Sequence, residues 1–174
     1  MNKYWLVLLA LTLWLSGCSA TATPTATASP VVVPTTHLIT KSGTYEGQTQ
    51  NGQRNGQGTF TWENGDTYVG TWQNGLMNGL GVQTFKGIGE YRGSFAEGKR
   101  FGQGTFTWVD GDKYAGAWQN DLMQGLGTYT FASGAVYQGS WVKAQMDGQG
   151  TYRYPDGMVV TGRWSQNQLV AVQK

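Results

Sequence analysis

Tyr68-Val69-Gly70-Thr71-Trp72, followed after a short polar stretch by Gly79-Leu80-Gly81, is the passage that decides the fold, because it recurs with a fixed step. Tyr45, Tyr68, Tyr91, Tyr114 and Tyr137 stand 23 residues apart, and Val160 continues the count. Two residues after each comes a glycine: Gly47, Gly70, Gly93, Gly116, Gly139 and Gly162. Two further on stand Thr49, Trp72, Phe95, Trp118, Trp141 and Trp164. A glycine pair follows in five units, as Gly56 and Gly58, Gly79 and Gly81, Gly102 and Gly104, Gly125 and Gly127, or Gly148 and Gly150. Aromatics come next, such as Phe60 and Trp62, Phe106 and Trp108, or Tyr129 and Phe131. Units close on turns such as Asn64-Gly65-Asp66 and Asp110-Gly111-Asp112. A period of this length marks an array whose units bury apolar surface against their neighbours. A slower alternation is superposed on it: the run Gly56 to Trp62 returns 46 residues later as Gly102 to Trp108, and Leu76-Met77 returns as Leu122-Met123.

Inside a unit the aromatics and glycines alternate with small polar residues, the signature of strands rather than helices. Tyr68, Gly70 and Trp72 share one face of a first strand, and Gly104, Phe106 and Trp108 share one face of a second. About six residues rich in Asn, Gly and Gln separate the two strands, enough for a hairpin loop. Folding the central unit about such a loop predicts that Trp118 faces Gly127, Gly116 faces Tyr129 and Tyr114 faces Phe131. In that register each large ring lies over bare backbone or on another ring.

The pattern Tyr-x-Gly-x-Trp followed by Gly-x-Gly resembles the MORN repeat, the membrane occupation and recognition nexus family. The resemblance runs from Tyr45 to Lys174 as five full repeats and a sixth half. It implies an all-β protein: an elongated, single-layer antiparallel sheet of stacked hairpins. Eleven strands at ~4.8 Å spacing would make a rod roughly 50 Å long. Several positions depart from the pattern. Thr49 and Gln83 stand where aromatics are expected, Lys86-Gly87-Ile88-Gly89 alters a turn, and Asp121 and Ala144 replace loop glycines. The apolar stretch Leu169 to Val172 is expected to fold back as a cap. A membrane β-barrel needs strands of ~9–11 residues, whereas these read as five to seven. Choline-binding repeats carry adjacent aromatics, which this pattern lacks.

The N-terminus reads as an address. Tyr4 to Leu15 is an apolar run of 12 residues broken only by Thr12 and preceded by Lys3. It is too short to span a bilayer, which takes ~20 apolar residues, but it suits a signal peptide over 1–17. It ends in Leu15-Ser16-Gly17-Cys18, which resembles the lipobox of bacterial lipoproteins. That likeness implies acylation of Cys18, including palmitate-type chains, and a membrane anchor at the cell envelope. Ser19 at the following position implies the outer membrane rather than the inner. Residues 18–40 then form a linker of Thr, Ala, Ser and Val punctuated by Pro24, Pro30 and Pro34, which favours an extended tether. His37, the sole histidine, is expected to be a solvated residue of that tether, and the repeat array occupies 41–174.

Little catalytic chemistry is available to such a chain. It has 174 residues, one cysteine, 13% charged residues and a formal charge of only +2. The weak positive charge argues against nucleic acid as a partner. No histidine lies within the repeats to serve as a base, no cofactor or metal site is indicated, and Asp66, Asp110, Asp112 and Asp156 sit in turns where they cap backbone. The expected function is a non-catalytic scaffold that binds a protein partner or self-associates. The alternative is a lipid- or glycan-binding module using an aromatic groove. Candidate binding residues are Tyr68, Trp72, Tyr91, Phe95, Tyr114, Trp118, Tyr137 and Trp141, because exposed apolar surface marks contact sites. A second candidate row, Arg54, Met77, Arg100, Met123 and Met146, falls at the hairpin tips.

Overall fold

A computed structural model describes residues 35–173. Cys18, the signal segment and the linker up to Pro34 lie outside the described residues. The described residues form 13 strands in one open antiparallel sheet, and each strand pairs with its neighbours in sequence. They are β1 (Thr36–Thr40), β2 (Gly43–Gln50), β3 (Gln53–Trp62), β4 (Thr67–Gln73), β5 (Leu76–Phe85), β6 (Gly89–Ala96), β7 (Lys99–Trp108), β8 (Lys113–Gln119), β9 (Leu122–Thr130), β10 (Val136–Val142), β11 (Gln145–Arg153), β12 (Val159–Ser165) and β13 (Gln168–Val172). The array is therefore two strands longer than expected. β1 uses residues 36–40, assigned above to the tether, and places His37 opposite Glu46 and Leu38 opposite Tyr45. β13 is the apolar C-terminal stretch, folded back onto β12.

The hairpin loops are shorter than the sequence suggested. Each connects its strands through two residues with positive φ, as at Asn74-Gly75 (49° and 82°) and Asn120-Asp121 (49° and 68°). This is the type I′ turn, whose backbone twist matches that of the flanking strands. The residues counted as loop instead extend the strands, so β3, β5 and β7 reach ten residues rather than five to seven.

The short turn also corrects the register. Tyr114 faces Tyr129, Gly116 faces Gly127 and Trp118 faces Met123, with a bulge between Gly116 and Trp118. The predicted pairs Trp118–Gly127, Gly116–Tyr129 and Tyr114–Phe131 do not form. The two glycines of each pair have different jobs. Gly125, with φ of +76°, makes the bulge, whereas Gly127 lies flat against Gly116. A Cβ on Gly127 would come within 2.6 Å of the Tyr114 ring. The bare backbone thus makes room for the tyrosine of its own hairpin, not for the tryptophan. Tyr68, Tyr91 and Tyr137 lie over Gly81, Gly104 and Gly150 in the same way.

The tryptophans reach back to the preceding hairpin. Trp118 Nε1 donates to the Gly104 carbonyl at 3.1 Å, and Trp72 Nε1 donates to that of Gly58 at 3.1 Å. Trp72, Trp118 and Trp141 each meet two tyrosines edge to face, as Trp118 meets Tyr91 at 5.1 Å and Tyr114 at 5.3 Å. Such T-shaped pairs stabilise by about 0.5–1.5 kcal/mol beyond their buried area. Repeated along the array, they make a continuous zipper from Tyr45 to Trp164. Among the described residues this sheet has no second layer to pack against, and the zipper is its core. The opposite face is open: Leu80 and Leu126 are 72% and 73% exposed.

Candidate functional site

The strict 23-residue set lies inside the zipper. Tyr68, Tyr91, Tyr114 and Tyr137 are 0% exposed, and Trp72, Phe95, Trp118 and Trp141 are 3–4% exposed. All eight predicted binding residues are brought together in one row, but their surface is spent on each other. The tyrosine hydroxyls also point inward, each donating to a carbonyl three residues on, as Tyr114 does to Ala117 at 2.9 Å. Desolvation pushes the hydroxyls of Tyr68, Tyr91 and Tyr114 up to about 12.

A second tier of rings is half-buried and reachable. Trp62, Phe85, Trp108, Tyr129, Phe131 and Tyr152 pack against the zipper with one side open. They sit near the ends of the long strands, where the chain approaches the Asx-type turns. From Phe85 the rings run on without a gap, one step of the path passing through the buried Phe106. Phe85 meets Phe106 at 5.8 Å, Phe106 meets Trp108 at 4.4 Å, and Trp108 meets Tyr129 at 5.4 Å. Tyr129 meets Phe131 at 4.6 Å, and Phe131 meets Tyr152 at 5.7 Å. An open cavity of about 400 Å³ lies between Phe85 and Trp108, above Gly89. Gly89 is bare because a Cβ there would fall 2.6 Å from the Phe106 ring. The sequence carried a signal for this tier, since aromatics follow most of the glycine pairs, but its members vary more than the tyrosines do.

The carboxylates act on backbone. Asp110 Oδ1 accepts from Asp112 N at 3.1 Å and Asp156 Oδ1 from Met158 N at 2.9 Å, closing Asx turns. Asp66 and Asp112 reach across to the next hairpin, accepting from Lys86 N at 2.8 Å and Ala132 N at 2.7 Å. Asp112 also accepts from the Tyr129 hydroxyl, and burial together with that carboxylate raises the Tyr129 pKa. No group of three or more His, Cys, Asp and Glu converges as a metal site among the described residues. His37 stands alone on β1.

The hairpin-tip row packs on the same face as the rings. Met77, Met123 and Met146 are partly buried against the zipper. Arg54 lays its guanidinium over Trp72 at 4.2 Å and Phe60 at 4.8 Å. Arg100 lies over Trp118 at 4.6 Å and pairs with Asp121 at 3.1 Å. These side chains extend the aromatic surface rather than waving free at loop tips.

Comparison with curated proteins returns no match. Among solved structures the chain is similar to the SAS-4 TCP domain of Drosophila melanogaster, solved in complex with a proline-rich motif of Ana2, at 9% identity and a TM-score of 0.43. That likeness covers 82% of this chain and 86% of the other. The family model described as the MORN repeat matches residues 45–67, 68–87, 91–113, 114–136 and 137–159. Those five stretches take in more than half of the 174 residues and all begin on the tyrosines that form the zipper; the second stops at residue 87 and leaves 88–90 unmatched. The chain therefore belongs to the MORN-repeat family.

Proposed function

We propose that this protein is a lipid-anchored, non-catalytic scaffold of the bacterial cell envelope, tethered through Cys18 and binding a protein partner with its aromatic face. One observation carries the reading: half-buried rings follow one another from Phe85 to Tyr152, joined at one step through the buried Phe106. Continuous apolar surface of this kind marks an interaction site. MORN repeats serve as protein- or membrane-interaction modules, which agrees with it. The lipobox-like Leu15-Ser16-Gly17-Cys18 after the apolar run supports the anchor and the envelope location, on the periplasmic side or surface of the outer membrane.

The test is photo-crosslinking in intact cells, with the reactive group placed at Trp108 in one strain and at Leu80 on the opposite face in another. A discrete adduct with an envelope protein from Trp108 alone is the expected outcome. Adducts from neither position, or equally from both, would rule out a dedicated aromatic face. In parallel, Cys18→Ser should move the protein from the membrane to the soluble fraction, and retention in the membrane would remove the anchor from the proposal.

A further inference from the structure

Arg54 and Arg100 occupy the same place in repeats 46 residues apart, and the structure holds them alike. Arg54 Nη2 donates to the Gly75 carbonyl at 2.8 Å, and Arg100 Nη2 donates to that of Asp121 at 3.0 Å. Both guanidiniums lie flat over a tryptophan, Trp72 and Trp118, at 4.2 and 4.6 Å. They differ in one respect. Asp121 Oδ1 accepts from the Arg100 backbone N–H at 2.9 Å and from its Nε at 3.1 Å. At the matching turn position, 46 residues earlier, stands Gly75, which carries no side chain.

Arg54 thus keeps its charge without a carboxylate among the described residues. Among the described residues the ion pairs are Arg92 with Glu90 and Arg100 with Asp121. The space that Asp121 fills in the later repeat is open here: a Cβ on Gly75 would meet no atom within 4 Å. Two open cavities of about 230 and 260 Å³ meet at Arg54 and Gly75. One is lined by Phe60, Trp62 and Trp72 and the other by Leu38 and Tyr45, so an anion arriving there has apolar seats on both sides. A guanidinium held on an aromatic face is already partly stripped of water, and a charge-assisted bond to it is stronger than a neutral one.

We propose that Arg54 is the receptor for a carboxylate of the partner protein, an Asp or Glu side chain flanked by an apolar residue, which occupies the position Asp121 takes beside Arg100. This rests on the scaffold reading above and names the chemistry its partner presents. The incoming oxygen accepts from Arg54 Nε and from the Arg54 backbone N–H, as Asp121 Oδ1 does from Arg100. The adjoining apolar side chain enters the Phe60–Trp62–Trp72 cavity.

The experiment follows the Nε–Hε resonance of Arg54 by NMR in the ¹⁵N-labelled full-length protein. It is titrated with the blocked peptide acetyl-Leu-Asp-Leu-amide, with its Asn counterpart, and with acetate. A saturable shift of Arg54, with Arg100 unmoved, is expected for the Asp peptide, and the Asn peptide should bind about tenfold more weakly or worse. Arg54→Met installs the residue that Met77 and Met123 already provide at this place, so it keeps the packing and should abolish the binding. Gly75→Asp supplies the carboxylate from within, at a positive φ such as Asp121 already holds, and it should abolish binding. An unmoved Arg54, equal affinity for the Asn peptide, or unimpaired binding by Gly75→Asp overturns the site. Acetate binding as tightly as the peptide overturns the assignment to a protein partner. If Arg54 stays silent while the Trp108 crosslink still forms, this inference falls and the scaffold reading stands. The opposite pairing sinks the scaffold reading and the partner assignment with it.

Discussion

Gly127→Ala should be far more damaging than Gly125→Ala, although the two glycines are two residues apart on the same strand. An added Cβ at Gly127 would lie 2.4 to 2.6 Å from the hydroxyl, Cζ and Cε2 of Tyr114, closer than real side chains approach. The strand is held in place by its ladders, in which Gly127 pairs with Gly116 on one side and with Gly139 on the other. Tyr114 must leave its site. It is fully buried, its hydroxyl donates to Ala117, and its ring contacts Trp118 and Trp141. Losing a buried aromatic costs about 3–5 kcal/mol, and an orphaned buried polar group adds roughly 1 kcal/mol. The sum is on the order of the whole stability of a small domain, about 5–15 kcal/mol. At Gly125 a Cβ would meet only the Ala117 methyl at 3.4 Å, so the penalty is the positive φ, about 1–2 kcal/mol. Urea unfolding followed by tryptophan fluorescence separates the two. Adding Tyr114→Ala to Gly127→Ala should make the double variant no worse than Tyr114→Ala alone, because the clash has gone. A melting temperature for Gly127→Ala within about 2 °C of wild type would refute the argument. So would equal rescue by Trp118→Leu.

Other consequences can be checked by similar means. The buried tyrosines keep their protons in the folded state up to about 12, against 10 in the unfolded chain, so the unfolded state gives up protons first. The tyrosines' contribution to stability should be constant below pH 10 and be lost between pH 10 and 12; an unchanged urea midpoint across that window would contradict it. Asp112→Ala orphans Ala132 N and the Tyr129 hydroxyl and should destabilise by about 1–3 kcal/mol, whereas Asp156→Ala frees one exposed N–H and should cost under about 1 kcal/mol. Equal midpoints for these two variants would show that the link from Asp112 to the next hairpin contributes nothing. Replacing Lys143-Ala144, both at positive φ, by Asn-Gly should stabilise by about 0.5–2 kcal/mol, read as a rise in melting temperature.

The period and the alternation of rings with small residues disclosed the strands and the hairpins, and the resemblance to the MORN repeat implied the single sheet. The register was not disclosed, for reasons that particular residues make clear. Asn51-Gly52 and Asn74-Gly75 are type I′ turn sequences, but Lys143-Ala144 and Gln166-Asn167 hold the same conformation without the usual residues. Averaged over units, the tip looked like a long polar loop. The glycine pairs looked alike in one dimension, yet Gly125 bends the chain and Gly127 clears a ring. β1 escaped notice because it has neither glycine nor aromatic; Leu38 takes the place opposite Tyr45 that Phe60 takes opposite Tyr68. Among the rings, regularity itself misled. The residues that recur most strictly are the ones every hairpin needs for packing, and the reachable tier is the one allowed to vary among Trp, Phe and Tyr.

The alternation between odd and even hairpins sets the unit in which such an array can be lengthened or shortened. Removing 23 residues, say 68–90, would set two odd hairpins side by side and put Glu97-Gly98 against a strand fitted to Asn74-Gly75. Excising 46 residues, 68–113, joins Thr67 to Tyr114 and keeps every junction between unlike neighbours. It would also carry Asp121 to the position Gly75 now holds, so that Arg54 acquires a resident counter-ion. The gene for such a protein can change length in double steps without disturbing the fold, and each step decides whether that arginine faces its own chain or the outside.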